Sequence, residues 1–170
     1  MNDYGKTKLH GEHKVRELCS NYIIIRTNIF WSNVKPGKIS SAEWIYNSLK
    51  NKNYITLFSD YTFSSISTEC LGIIIMKLVK KNFFGIINAG SSSPFSKYEF
   101  GSQLAYQFCF DSSYIKKGLI ENHSFTAKRS KRLDLDVGKL ISLGISPPDL
   151  NLSLKKFTKS IINKKFNLIN

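Results

Sequence analysis

Tyr22-Ile23-Ile24-Ile25-Arg26-Thr27 is the stretch on which the fold turns. It is a run rich in β-branched residues with no polar alternation, which predicts a strand buried on both faces within a parallel sheet. Such a strand needs neighbours. What precedes it is a segment from Asp3 to about Cys19 with helical spacing, Tyr4, Lys8, Gly11 and Val15 falling on one side, ended by Ser20-Asn21. An open edge of Ile23-Ile24-Ile25 is a template for association that intact proteins avoid. The sequence therefore predicts that something belongs on its N-terminal side.

Downstream, strands and helices alternate. Ser40–Leu49 predicts a helix opened by a serine cap, Tyr54–Phe58 a short strand, and Ser67 or Thr68 the cap of a helix that carries Leu71, Ile74, Ile75, Leu78 and Val79. Phe84–Ala89 reads as another apolar strand, and Ser96-Lys97-Tyr98-Glu99 fits a capping box that starts a helix running to Phe108. Tyr114–Ile120 predicts a strand, His123–Arg132 a basic loop, Asp136–Ser142 a short helix closed by Gly144, and Asn151–Phe166 a last helix with Leu152, Leu154, Phe157 and Ile161 inside. The pattern is that of an α/β fold.

At 170 residues the chain has room for one domain with a real core. The formal charge of +13 comes from lysines spread along the whole chain and matches a bias toward Lys, Asn and Ile. No zinc-finger, RRM or helix-turn-helix pattern accompanies it, so no nucleic-acid partner is expected, although a diffuse positive field favours anionic ligands. Cys19, Cys70 and Cys109 are odd in number and lie in apolar segments, which predicts buried thiols in a reducing compartment. No signal peptide opens the sequence and no apolar run is long enough to span a bilayer, so a cytoplasmic protein without a membrane partner is expected. His10, His13 and His123 lack metal-ligand spacing, and no metal site is expected.

Tyr4-Gly5-Lys6-Thr7-Lys8 is the motif that carries chemistry. Its spacing places a phenol and an ammonium one helical turn apart on the same face. A phenol is a poor proton donor or acceptor at neutral pH, and a neighbouring cation favours its ionised form. Alone, the pattern is common in a chain with many Tyr and Lys residues.

The wider context is more specific. Tyr4-Gly5-Lys6-Thr7-Lys8-Leu9-His10-Gly11-Glu12, followed by a strand ending Arg26-Thr27-Asn28-Ile29-Phe30, resembles the active-site helix and next strand of the extended short-chain dehydrogenases/reductases, in particular the dTDP-4-dehydrorhamnose reductase group. The resemblance continues through Leu57-Phe58-Ser59-Asp60, through Gly85-Ile86-Ile87-Asn88-Ala89-Gly90, and through Ala127-Lys128-Arg129-Ser130 with Leu135-Asp136-Val137-Gly138-Lys139-Leu140. Ser65 and Ser130 stand where that group has proline.

The resemblance implies the C-terminal part of a Rossmann-like NAD(P)-binding fold joined to a small α/β substrate-binding lobe. Residues 1–35 would be the active-site helix and core strand, and 36–170 mainly the substrate lobe with returning Rossmann elements. It implies Tyr4 as the general acid for a sugar keto group, Lys8 as the ligand of the nicotinamide ribose, and NADP or NAD as cofactor in the complete enzyme. Tyr4, Lys8 and Asn28 would meet the cofactor, and Thr27, Asn28 and Arg129 the nucleotide-sugar substrate. No G-x-G-x-x-G or G-x-x-G-x-x-G occurs in these residues, so the glycine-rich N-terminal half is expected to be absent here and cofactor binding by this chain alone is doubtful. The expected protein is a truncated or split nucleotide-sugar ketoreductase or epimerase, inactive alone, with a separate N-terminal Rossmann half as partner. The alternative is a non-catalytic nucleotide-sugar-binding or regulatory module.

Overall fold

The computed structural model describes residues 3–31, 38–122 and 131–166. Helix α1 (Asp3–Leu18) leads into β1 (Ile23–Phe30), and α2 (Ser41–Lys50) follows, its first turn closed by a capping box between Ser40 and Glu43. Three short strands, β2 (Ile55–Phe58), β3 (Thr62–Phe63) and β4 (Ser65–Ser67), precede α3 (Thr68–Lys80), whose N-cap is Ser67 accepting from the Cys70 amide. Then come β5 (Gly85–Ala89), β6 (Phe95–Ser96) and α4 (Lys97–Phe108), the last opened by the Ser96–Glu99 capping box that its sequence predicted. Strands β7 (Ile115–Gly118) and β8 (Arg132–Leu133) and helices α5 (Gly138–Ser142) and α6 (Leu150–Phe166) complete the described residues.

The decisive stretch is the middle of a three-stranded parallel sheet of order β4-β1-β5. Its two neighbours engage different parts of it. Ile23–Thr27 pair with Gly85–Ala89 on one edge, whereas Asn28–Phe30 pair with Ser65–Ser67 on the other. Opposite β5, the edge of Ile23–Thr27 has no strand among the described residues.

One face of the sheet is well covered. Ile23 and Ile25 pack against a core of Ile66, Cys70, Ile74, Leu78, Ile87, Ala89, Val137, Leu140 and Ile145, supplied by α3, α5 and the sheet. Strand alternation sends Ile24 and Arg26 to the opposite face, where α1 lies and buries none of its own side chains. The expectation of a strand buried on both faces is thus met on one face: Ile23, Ile24 and Ile25 are all only half-buried.

The second core forms where α2, α4 and α6 meet the β2-β7 pair and the β6-β3-β8 sheet. Ile45, Leu49, Leu57, Phe100, Leu104, Leu154 and Phe157 are among its members, and Phe30 enters it from the end of β1. Phe30 meets Phe100 and Phe157 edge to face at 5.0 and 5.6 Å, an arrangement that adds about 0.5–1.5 kcal/mol per pair beyond area burial. Gly101 lets α4 close on the sheet, because a Cβ there would overlap the buried Leu57 side chain. Gly101→Ala is expected to cost about 1–3 kcal/mol through overpacking, measured as a lower denaturant midpoint with an unchanged slope.

Several sequence expectations change in detail. Leu152 is 47% exposed and turns away from the core, as do Ile75 and Val79, because α6 and α3 each present only a narrow stripe inward. Of the cysteines, Cys70 alone is buried, while Cys19 and Cys109 sit at exposed helix ends.

Candidate active site

Local interactions hold α1 together. Asp3 lies in its first turn and Arg16 in its last, complementing the helix dipole, and Lys6–Asp3 and Lys14–Glu17 pair at 3.3 and 2.7 Å. Its attachment to the sheet runs through Arg26, whose Nε and Nη2 donate to Glu12 Oε1 and Oε2 at 2.8 and 2.6 Å. The Arg26 hydrogen bonds hold the Glu12 carboxyl below its ordinary value, with burial opposing and the guanidinium charge assisting.

A carboxyl depressed in the folded state stabilises above its unfolded pKa and loses that contribution as pH falls through the folded value. The α1 tether is therefore complete at neutral pH and lost in acid, below the ordinary value of 4.5. Since Arg26 is about half exposed, its side chain being 48% accessible, the pair is worth about 0.5–1 kcal/mol at most. Glu12→Gln at pH 7 is expected to speed amide exchange across α1 to the level the unaltered protein reaches in acid, after correction for intrinsic exchange.

Tyr4 and Lys8 come together as their spacing requires: the Lys8 ammonium lies 5.5 Å from the centroid of the Tyr4 ring. Tyr4 is 71% exposed, open to an incoming group. Thr27 and Asn28 sit toward the carboxyl end of β1, where open α/β sheets bind ligands. The Thr27 hydroxyl is buried and has no hydrogen-bond partner among the described residues, a cost that a ligand donor or acceptor would remove. Asn28 uses its amide within the protein, Nδ2 donating to the Leu133 carbonyl at 2.9 Å. Arg129 lies outside the described residues.

Sequence reasoning missed a set of contacts beside Asn28. Asn88 Nδ2 donates to the Asp136 carbonyl at 2.8 Å, and the Leu135 amide donates to Ser64 Oγ at 3.2 Å. The signal available was the Asn-Ala-Gly that closes the β5 run. Nearby, Lys131 pairs with Glu121 and Asp60 at 3.2 and 3.5 Å, and Arg132 Nε with Asp134 Oδ2 at 2.7 Å. A separate cavity of about 350 Å³, lined by Thr56, Phe58, Lys117, Gly118, Leu119 and Asn122, belongs to the second lobe.

A lysine ammonium, a phenol and an unsatisfied hydroxyl fit the hydroxyl-rich nicotinamide-ribose end of a dinucleotide. The glycine-rich turn that would cradle its pyrophosphate does not occur in these residues. With this geometry, the sequence profile of the RmlD substrate binding domain matches residues 1–162.

The chain belongs to the RmlD substrate binding domain family.

Among curated members and relatives, the probable low-salt glycan biosynthesis reductase Agl14 of Haloferax volcanii is 24% identical over 153 residues, 88% of this chain and 51% of that protein. Methionine adenosyltransferase 2 subunit beta of Rattus norvegicus is 22% identical over 151 residues, 85% of this chain and 45% of the other. The chain thus spans about half the length of the curated relatives it matches. In solved structures, the RmlD-type fold recurs in dTDP-4-dehydrorhamnose reductase from Bacillus anthracis in complex with NADP, with TM-score 0.82 at 23% identity, covering 92% of this chain and 55% of that one. It recurs also in dTDP-glucose 4,6-dehydratase from the same organism in complex with NAD, with TM-score 0.70 at 10% identity, over 96% of this chain and 53% of the other. The α/β fold is therefore the Rossmann-like one of these solved structures. Among the described residues no helix is long and apolar enough to cross a membrane.

Proposed function

We propose that the chain is the substrate side of a nucleotide-sugar ketoreductase whose site is completed by a glycine-rich dinucleotide-binding half, in the same polypeptide or a separate one. The observation that carries this reading is the pairing of Tyr4 and Lys8 on one face of α1 within a family match over residues 1–162. A bound nicotinamide cofactor would supply the hydride. Tyr4 Oη donates a proton to the sugar carbonyl oxygen, which becomes the hydroxyl. The Lys8 ammonium would donate to ribose hydroxyls and, as a neighbouring cation, favour the phenolate that proton transfer leaves on Tyr4, while the Thr27 hydroxyl would bond the ligand at the strand end. Asn28 borders the same end, and Arg129 meets the nucleotide phosphates. In this reading residues 1–35 form the active-site unit and 36–170 the substrate lobe.

The experiment is to co-express the chain with a glycine-rich Rossmann half and follow NAD(P)H absorbance with a dTDP-4-keto sugar. Turnover supports the reading. Cofactor binding without any turnover or sugar binding removes it.

A second reading, a nucleotide-sugar-binding or regulatory module without redox work, is favoured by the relative named as a subunit of methionine adenosyltransferase 2. Calorimetry separates the two: a module binds the nucleotide-sugar with no gain on adding NADPH, whereas a reductase binds it more tightly in the presence of cofactor.

A further inference from the structure

The segment Leu133–Asp136 crosses the β4-β1-β5 sheet as a strap at the level where β4 begins and β1 and β5 approach their ends, and it is fastened there by one side chain from each strand or its immediate start. Asn28 on β1 holds the Leu133 carbonyl, Asn88 on β5 holds the Asp136 carbonyl, and Ser64, just before β4, accepts from the Leu135 amide. A backbone carbonyl only accepts, so each asparagine must turn its NH2 to the strap. The partners are 105, 48 and 71 residues apart in sequence, so none of these bonds follows from local turn geometry.

A second, backbone-level observation agrees. A Cβ on Gly90 would lie 2.8 Å from the Ser64 carbonyl oxygen and 3.2 Å from Leu135 Cδ1, and the Ser91 amide donates to that same carbonyl at 3.1 Å. The chain is thus close-packed where the strap passes. Burial does not require the asparagines, for Leu133 is 41% exposed and water could satisfy its carbonyl. What they provide is position. The strap is continuous with Lys131 and Arg132; Arg132 leans on Asp134 within the strap itself, and the Thr62 amide takes the Lys131 carbonyl at 2.9 Å.

We propose that Asn28, Ser64 and Asn88 form a three-point clamp that sets the strap, and with it the ion-paired Lys131 and Arg132, across the sheet beside the Thr27–Asn28 step of β1, so that the asparagines are positioning residues for a nucleotide bound at that step. The clamp itself is independent of the function proposed above; the nucleotide it serves rests on that reading.

The test uses the full chain, carrying Ile24→Lys to hold it monomeric, and its Asn28→Ala, Asn88→Ala and double variants, with two readouts: hydrogen exchange at the amides of 133–138, and calorimetric titration with dTDP-glucose. Each single change is expected to speed strap exchange and to weaken dTDP-glucose by about two- to tenfold, with the melting midpoint held. The double variant is expected to fall short of the product of the two, because both residues fix one segment. If Asn28→Ala weakens the ligand while Asn88→Ala changes neither readout, Asn28 is a direct ligand contact and the clamp is overturned. If the Ile24→Lys parent binds no dTDP-glucose, the nucleotide-sugar reading fails separately, and exchange alone decides: acceleration in both variants upholds the clamp, no change in either overturns it. Should an alanine variant not fold, Asn→Ser at the same position, shorter yet polar, gives the same comparison.

Discussion

Replacing Tyr4 by Phe in the two-part reductase proposed above is expected to lower kcat by about a hundred- to ten-thousandfold, the range that a positioned proton donor contributes. The change removes one oxygen from a side chain that is largely in solvent, so stability and the affinity for dTDP-sugar should stay as they were. This separation of effects makes the measurement informative. An interaction made only in the transition state lowers kcat and kcat/KM alike, whereas a binding contact raises KM. Lys8→Met should act differently, raising the KM for cofactor as well as lowering kcat, because in the proposed mechanism Lys8 serves both ribose and phenol. Unchanged turnover in Tyr4→Phe would remove α1 from the chemistry and leave the binding-module reading in its place.

The second large effect concerns the 170-residue polypeptide expressed by itself. Along Ile23–Thr27 the backbone of β1 faces β5 on one side and no described strand on the other. The isoleucines around it are only half-buried, and covering one such side chain fully is worth about 1.5–3 kcal/mol. For several of them together this is a large share of a domain stability of about 5–15 kcal/mol. Self-association through this edge, with a broad melt and no NAD(P)H oxidation, is the expected behaviour. Ile24→Lys places a charge on the face that the hydrophobic core does not use and should shift the chain toward monomer in sedimentation, as lysine does on natural edge strands. A monodisperse monomer with a sharp melt before any substitution would refute the argument.

The sequence made some of this legible and hid the rest for physical reasons. The serine cap at Ser40 and the capping box at Ser96 placed two helices, because a cap is a local event with a fixed spacing. The run at 22–27 placed β1, and the Tyr4–Lys8 spacing placed the two side chains on one face of α1. The two-residue strands β3, β6 and β8 left no periodicity to read, since their pairing is decided by tertiary contact. The strap contacts were invisible for the same reason. Asn28 and Asn88 are ordinary polar residues until the chain brings Leu133 and Asp136 to them. Leu152 was expected inside α6 and lies outside, because an apolar residue does not reveal which face of its helix the core will take; Ile75 and Val79 of α3 likewise lie on the outer face.

One strand serves two cores: Ile23 and Ile25 pack into the first, and five residues beyond Ile25 the Phe30 ring is seated in the second. A lobe motion that slid one core past the other would have to break the strand or pull Phe30 out of its ring cluster. Bending about Thr27–Asn28, between the two anchorages, is the deformation that leaves both intact. A ligand bound at that point would add an anchorage between the other two, so the two cores should melt closer together in the bound protein than in the free one.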